Sequence, residues 1–385
     1  MVAVFPLLAL LLAATPSETA EHPKTFEQLT RQADAAREAD KVLDAIDLYS
    51  QAVRLRPAWS DGWWSLGSLF YDQDRFPEAE SAFRRFAKVA ARPGPAYAFL
   101  GLCEYENAEY AQALKDFRIW ADKGWSGTPE LIDVAAFHFA LLLSREGRFV
   151  ESLYLLATEV QRRGRSPALA EAMGLASLRM KSLPEEYPPQ SREMVWLAGN
   201  AALYASLPPG DFDRANEYAR RLLVRCAEQS NVHYFLGTLY GFENKKPEAA
   251  GEFRQELARS PDHVPALLEL ARLDLEGGQA AEALTFAKRA VALERQNADA
   301  HHVLGQILLA DGQAAESVKE LEAAKHLAPD VATIRSHLAM AYYRLGRNSE
   351  ARAEAAAFTL LKKKEGVFAP PAEKIAPDGG AGERK

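Results

Sequence analysis

The sequence predicts an all-α fold, a solenoid of antiparallel helix pairs stacked along the chain. Small residues recur at a spacing of 34, a second small residue follows each of them 12 positions later, and glycine- or proline-containing turns separate the apolar stripes. The first small residues are Ala33, Gly67, Gly101, Gly237, Ala271, Gly305 and Ala339, and the second are Ala45, Ala79, Ala113, Ala249, Ala283, Ser317 and Ala351.

The helical character of each unit follows from its apolar spacing. Trp63, Leu66, Gly67 and Phe70 stand at positions i, i+3, i+4 and i+7, which places them on one face of a helix. A small residue on each of two adjacent helices allows their backbones to approach closely, and large apolar residues beside them fill the groove. Each unit is therefore expected to be two helices joined by a tight turn.

These residues carry a family resemblance. The run Trp63-x2-Leu66-Gly67-x2-Phe70, followed by Ala79-x3-Phe83, resembles the tetratricopeptide (TPR) repeat. The resemblance implies a right-handed superhelix whose first helices line a concave surface. Seven units fit, beginning near Phe26, Ser60, Gly94, Ser230, Val264, Ala298 and Ala332, and a degenerate eighth lies near Asp133, with Ala140 and Ser152 in its two small positions.

The pattern divides the chain into five parts. Residues 1–20 form an apolar N-terminal segment or signal peptide, and residues 26–165 form a first array of about four repeats, the fourth degenerate. Residues 166–229 form a divergent helical connector, with helices expected at about 167–182, 192–207 and 211–228. Residues 230–365 form a second array of four repeats, and residues 366–385 form a flexible tail rich in Pro, Gly and Ala.

The N-terminus indicates export. Val2 to Ala14 form an apolar run of 13 residues, too short to span a bilayer core of ~30 Å as a helix, and small or polar residues follow it. A wrongly assigned start codon or a buried strand are the alternatives. The protein is expected to be exported, periplasmic or secreted, if the signal is real, and cytoplasmic otherwise. No integral membrane span is expected, although the N-terminus offers a route to membrane association.

Composition and motifs exclude several classes of function. The chain has 46 basic and 53 acidic residues, a net charge of −7, so nucleic-acid binding is not expected. Cys103 and Cys226 are interpreted as packing residues. No catalytic, cofactor-binding or metal-binding motif occurs, and no cofactor is expected. His302 and His337 are interpreted as polar residues of the groove. The alternative is that the two imidazoles bind a metal ion together.

Glu104 and Glu106, two acidic residues near Asp116, are interpreted as part of a solvated helix face. Charged residues on a helix most often have that role.

The predicted function is a non-catalytic scaffold that binds a peptide segment or a partner protein on the concave face. The candidate groove residues are Trp64, Tyr71, Tyr105, Asn231, Tyr234, Arg272, His302, Gln306, His337, Met340, Tyr343 and Arg344. The alternatives are an accessory or assembly subunit of a cell-envelope or transport complex, and an enzyme with an unrecognised site. Recognition of chaperone tails is disfavoured, because Thr30, Asp34 and Ser65 stand where that clamp needs Lys, Asn or Arg.

Helical phase adds a contrast within the second array. Arg272, His302, Tyr343 and Arg344 are expected to be exposed and to contribute little to folding. The alternative is that they form salt bridges and stacking contacts within the array. Their apolar neighbours are expected to be buried, namely Leu270, Leu304 and Leu338.

Overall fold

The computed structural model describes residues 24–207 and 209–365. The described residues form nineteen α-helices and one 3₁₀ turn and contain no strand, which confirms the all-α solenoid. The N-terminal apolar segment and the tail fall outside them.

The helices of the first array and the connector alternate with short turns. They are α1 (Phe26–Glu38), α2 (Val42–Leu55), α3 (Ser60–Tyr71), α4 (Phe76–Val89), α5 (Gly94–Glu106), α6 (Tyr110–Asp122), α7 (Pro129–Arg145), α8 (Phe149–Arg163), α9 (Pro167–Ser177), α10 (Arg192–Ala205) and α11 (Phe212–Cys226), with the 3₁₀ turn at Pro189–Ser191.

The second array continues in pairs of helices that are eleven to eighteen residues long. They are α12 (Val232–Phe242), α13 (Lys246–Arg259), α14 (Val264–Glu276), α15 (Ala280–Leu293), α16 (Ala298–Ala310), α17 (Ala314–Leu327), α18 (Ala332–Arg344) and α19 (Asn348–Glu365).

Within a pair, the helices meet at the small residues. A Cβ placed on Gly67 would lie 2.7 Å from Cε1 of Phe83, and one on Gly305 would lie 2.6 Å from Cγ of Leu321. These distances are shorter than van der Waals contact, so glycine is needed where the large residue of the second helix crosses the first. Ala33 and Ala271 are fully buried at the same position of their repeats.

The first helices end in one common way. In the described part of the chain, a residue with positive φ follows each of them, and the next N–H donates to a carbonyl five residues earlier, as from Lys245 N to Tyr240 O at 2.9 Å. The residues in this left-handed position are Asp40, Asp74, Ala108, Gly147, Arg179, Asn244, Gly278, Gly312 and Gly346. Arg179 is the one long side chain among them.

Two helix boundaries differ from the expectation. The degenerate unit begins at Pro129, four residues before Asp133, because the Thr128 hydroxyl accepts the N–H of Leu131 at 3.3 Å and caps the helix. The helix expected to end near residue 182 ends at Ser177, because Arg179 takes the left-handed conformation and terminates it.

The connector contains three packed helices. A Cβ on Gly174 of α9 would lie 2.1 Å from the Val195 carbonyl oxygen of α10, and one on Gly199 would lie 1.8 Å from the Ala170 carbonyl oxygen. These close approaches put α9 and α10 in antiparallel backbone contact, and α10 also packs along α11.

No described helix is both long enough and apolar enough to cross a membrane.

Candidate binding surface

The first helices of the second array, α12, α14, α16 and α18, carry most of the predicted groove residues, and we call their shared side the first-helix face. Successive first helices approach one another across repeats: α14 lies next to α16, and α16 lies next to α18. The residues below are described in order along this face.

At the start of the face, Asn231 and Tyr234 are held by the repeat itself. Asn231 has φ of 67°, and its N–H and that of Tyr234 donate to the buried carboxylate of Glu256 at 3.0 and 3.2 Å. His263 Nε2 lies 2.8 Å from the Asn231 side-chain oxygen, and its ring lies 5.1 Å from the Tyr234 ring. Glu256, on the next helix, therefore caps the N-terminus of α12 by accepting hydrogen bonds from the backbone N–H groups of Asn231 and Tyr234.

Arg272 joins two successive repeats. Its guanidinium donates to Glu269 at 2.7 Å and to both carboxylate oxygens of Asp299 at 2.6 and 2.7 Å. The pKa of Glu269 is raised overall, because the effect of burial exceeds the opposing effect of the Arg272 charge. Asp299 belongs to α16, so the hydrogen bonds from Arg272 to its two carboxylate oxygens hold α14 against α16.

His302, Gln306 and His337 form a hydrogen-bonded group between α16 and α18. His302 Nε2 lies 3.0 Å from His337 Nδ1, and the Gln306 amide nitrogen lies 3.1 Å from His337 Nε2. With Gln306 as donor, His337 carries its proton on Nδ1, which faces His302 and the Thr333 carbonyl oxygen at 2.9 Å. His302 Nε2 then accepts.

Both rings are neutral in this arrangement. Burial, followed by the neighbouring His337, lowers the pKa of His302 to about 4, and burial lowers the pKa of His337. Two protonated imidazoles at this distance would repel one another and lose the shared hydrogen bond.

The end of the face is more open. Met340 is 46% exposed and Tyr343 is 72% exposed, whereas the Arg344 guanidinium donates to the Leu309 carbonyl oxygen at the end of α16. Apolar side chains that remain this exposed beside polar groups are typical of recognition surfaces.

These contacts correct part of the expected contrast. His302 is buried rather than exposed, because it lies between two first helices, and Arg272 and Arg344 are bound to the neighbouring repeat. Tyr343 and Arg344 are exposed as expected, although Arg344 also donates a hydrogen bond to the Leu309 carbonyl oxygen. The apolar neighbours are buried as expected, with Leu270 and Leu338 at 0% and Leu304 at 5% exposure.

The three aromatic candidates of the first array are largely engaged in packing. Trp64 lies 5.1 to 5.5 Å from the rings of Phe83, Phe86 and Phe99. Tyr71 lies 5.2 Å from Phe99, and burial raises its pKa to about 12.

Tyr105 lies 4.6 Å from the His138 ring and 5.6 Å from Tyr110. Burial raises its pKa. The structure therefore places it in an aromatic contact between α5 and α7.

Glu104 and Asp116 do not lie on a solvated face, whereas Glu106 is exposed as expected. Glu104 is fully buried and Asp116 nearly so, and the Arg84 guanidinium contacts both of them and also Glu80. Burial, the charge of Asp116 and a hydrogen bond to Asp116 raise the pKa of Glu104 to about 9. The expectation for Glu104 and Asp116 was wrong, because α4 and its Arg84 pack over them, a contact that helical spacing alone does not reveal.

Arg179 is the residue near this face that sequence reasoning missed. Its guanidinium carbon lies 4.8 Å from the Phe149 ring centre and 5.5 Å from that of Tyr234. It thus joins α8 of the first array to α12 of the second, and its place in a turn otherwise held by Gly, Asp, Asn or Ala was the available signal.

The chemical capacity of the face is that of recognition. Among the described residues, no three His, Cys, Asp or Glu side chains are arranged to hold a metal ion. Cys103 is buried and Cys226 is half-buried. The face offers imidazole and amide groups, guanidinium groups and two exposed apolar side chains.

Comparison with known proteins gives the family of the repeats. The tetratricopeptide repeat model matches residues 30–95 and 66–128, and a model of the cilia and flagella-associated protein 70 middle TPR-like domain matches residues 197–362. No curated protein matches the chain.

Solved structures of the same repeat type cover part of the chain. A crystal structure of MamA protein is 18% identical with a TM-score of 0.39, covering 46% of this chain and 95% of its own. MamA from Desulfovibrio magneticus RS-1 is 20% identical with a TM-score of 0.37, covering 41% and 89%. YrrB, described as a TPR protein with an unusual peptide-binding site, is 18% identical with a TM-score of 0.37, covering 46% and 92%.

Proposed function

We propose that this chain, which belongs to the tetratricopeptide repeat proteins, is a non-catalytic scaffold that binds an extended peptide segment of a partner on the first-helix face of its second array. In the superhelix of this family, that face is the concave one. The observation that carries the proposal is the exposure of Met340 and Tyr343 beside a row of polar side chains on α14, α16 and α18.

The repeat architecture supports this assignment. Each helix pair buries its apolar side only against its neighbours, so the stack presents one continuous surface rather than a closed pocket. An extended peptide can contact successive first helices along such a surface, using main-chain hydrogen bonds for affinity and side chains for specificity.

The chemistry of the face divides into a fixed part and an open part. Contacts with neighbouring repeats hold Arg272, His302 and His337 in place, so their polar groups are pre-organised for a ligand. Met340 and Tyr343 are free to bury apolar surface on a ligand. Aromatic residues commonly carry much of the energy of such contacts, and we assign Tyr343 as the principal anchor.

The test is selection of random twelve-residue peptides on the immobilised chain, followed by affinity measurements on two variants. Tyr343→Ala is expected to weaken the selected peptides about tenfold or more, a loss of ~1.4 kcal/mol or more. Leu43→Ala is the matched control, because Leu43 is also 72% exposed but lies on α2 of the first array. A selection that yields no peptide weakened by Tyr343→Ala relative to Leu43→Ala would overturn the assignment of this face.

A second candidate function rests on the N-terminal sequence. We propose that Val2 to Ala14 direct export and that the scaffold serves an assembly of the cell envelope. N-terminal sequencing of the protein recovered from a native fractionation tests this. A mature chain that starts near Ala14 to Ala20 supports export, and an intact Met1 in a soluble cytoplasmic fraction contradicts it.

A further inference from the structure

A second exposed surface is formed by α10 and α11 of the connector together with Arg165 in the turn between α8 and α9, and it shares no residue with the first-helix face. We call it the aromatic–arginine surface. Its members are Arg165, Trp196, Tyr204, Arg214, Tyr218 and Arg221.

The rings of this surface form one continuous ladder. Tyr204 and Tyr218 are stacked with centres 5.7 Å apart and planes 15° apart, and Trp196 meets Tyr218 edge-on at 5.3 Å. The ladder joins the C-terminal end of α10 to the middle of α11, and Trp196 remains 45% exposed.

Arginine side chains cover both ends of the ladder. The Arg165 and Arg214 guanidinium carbons lie 4.8 and 5.4 Å from the Tyr204 ring centre, and that of Arg221 lies 5.3 Å from Trp196 and 5.6 Å from Tyr218. Contact with ring faces orients a guanidinium and reduces the side-chain entropy lost when it binds an anion. The cations are therefore held in place before any partner arrives.

Two of these cations lack a counter-charge. Arg214 pairs with Asp211 at 3.5 Å, but neither Arg165 nor Arg221 forms an ion pair with any residue that the structure describes. Arg165 donates one hydrogen bond to the Tyr204 hydroxyl. Arg221 makes no side-chain hydrogen bond to any residue that the structure describes. Two exposed guanidinium groups without a carboxylate partner, on a chain of net charge −7, are a local exception to its overall electrostatics.

We propose that the aromatic–arginine surface docks an acidic peptide segment of a partner protein. Carboxylates match the paired N–H groups of a guanidinium in geometry and charge. The exposed face of Trp196, with Val224 one turn beyond Arg221 and 85% exposed, supplies apolar contact for residues between the carboxylates. Charge complementarity thus selects the partner, and the tryptophan adds buried area.

The arrangement of the rings disfavours single-stranded nucleic acid as the occupant. Such ligands bind by stacking bases on open aromatic faces. Here Tyr204 and Tyr218 stack on each other, and guanidinium groups lie over their rings. The groups left to contact a ligand are therefore mainly the N–H donors of the arginines. A polypeptide rich in carboxylate acceptors matches these N–H donors better than a series of stacked bases does.

The test is a selection of random twelve-residue peptides on the full chain, with enrichment of Asp and Glu as the first readout. Selected acidic peptides are then titrated against Arg165→Gln/Arg221→Gln. The matched control is Arg31→Gln/Arg352→Gln, which removes the same charge at two exposed arginines elsewhere in the fold. Thermal melts of all three proteins confirm that each is folded.

The expected result is a loss of about tenfold or more in the first double variant, little change in the control, and binding that weakens as salt is raised. Tyr343→Ala should leave these peptides bound, which separates this surface from the first-helix face. Absence of acidic enrichment, or equal losses in the two double variants, would overturn the proposal. Tighter binding of an oligothymidine probe than of the acidic peptides would overturn it in favour of nucleic acid.

Discussion

Gly237 of α12 lies directly against the ring of Phe253 of α13, so that a Cβ on Gly237 would come within 2.6 Å of the ring carbon Cε1. The same relationship joins Gly101 to Phe117, where the distance is 2.5 Å. Two backbones can therefore cross at this point only because one of the residues has no side chain.

Replacing Gly237 with Ala should destabilise the second array by about 1–3 kcal/mol, because the buried Phe253 has no room to move away. Gly241→Ala on the same helix is the control, since nothing lies within 4 Å of its Cβ position. Alanine there should stabilise by about 0.5–1 kcal/mol through its better helix propensity. Urea unfolding measures both, and equal changes of one sign would contradict the packing described.

Ala108→Gly should stabilise the protein. Ala108 is exposed and has φ of 59°, a conformation that costs an L-residue ~1–2 kcal/mol and glycine nothing. The greater freedom of glycine in the unfolded chain offsets part of this gain, which leaves about 0.5–1 kcal/mol. Ala353→Gly, at an exposed helical position in α19, should instead destabilise by ~1 kcal/mol. A melting temperature lowered by both changes would exclude strain at Ala108.

The His302–His337 pair should make stability depend on pH. The pKa of His302 is lowered to about 4 by burial and by His337, so the unfolded chain binds this proton more readily than the folded one. The stabilisation is fully present above the unfolded value near 6.5 and is lost as pH falls from there towards 4. The total loss is about 3 kcal/mol, at ~1.4 kcal/mol for each pH unit.

His302→Gln should remove most of this dependence, because glutamine does not titrate. The measurement is the free energy of unfolding of both proteins at pH 7 and pH 5, which cancels the contribution of other groups. Parallel losses for wild type and variant would show that His302 titrates normally.

Glu104→Gln should be nearly neutral below about pH 4.5 and should stabilise the protein at pH 7. Burial and Asp116 raise the pKa of Glu104 to about 9, so the buried group is already protonated and glutamine resembles it in shape. A raised carboxyl pKa contributes stability that is fully present below about pH 4.5 and is lost as pH rises to 9, so wild type should lose stability relative to the variant throughout that range. A large loss for the variant at pH 7 would instead indicate an ionised Glu104 paired with Arg84.

The sequence predicted the helices well because their signals are local. The period of 34 and the small residues on paired helices locate each repeat, and Gly237 and Phe253 meet as the spacing implies. The three connector helices were also anticipated, although α9 ends early where Arg179 adopts the left-handed conformation.

The candidate site was less predictable, because its residues are defined by partners in other repeats. Helical phase placed Arg272 on the correct helix and His302 near His337, but gave no indication that Asp299 would bind Arg272 or that the two imidazoles would be hydrogen-bonded to each other. Burial of Glu104 likewise depends on Arg84, which lies 20 residues away on another helix. Long-range side-chain pairing of this kind is set by the stacking of repeats rather than by the spacing within one.

The most direct test of the central claim is photo-crosslinking of a selected peptide to the first-helix face. A benzophenone amino acid in place of Tyr343 should form an adduct with the peptide, because the native side chain is exposed beside the polar row. The same amino acid in place of Leu43, equally exposed on α2, should form little or none. Adducts at position 43 with none at position 343 would contradict peptide binding on this face.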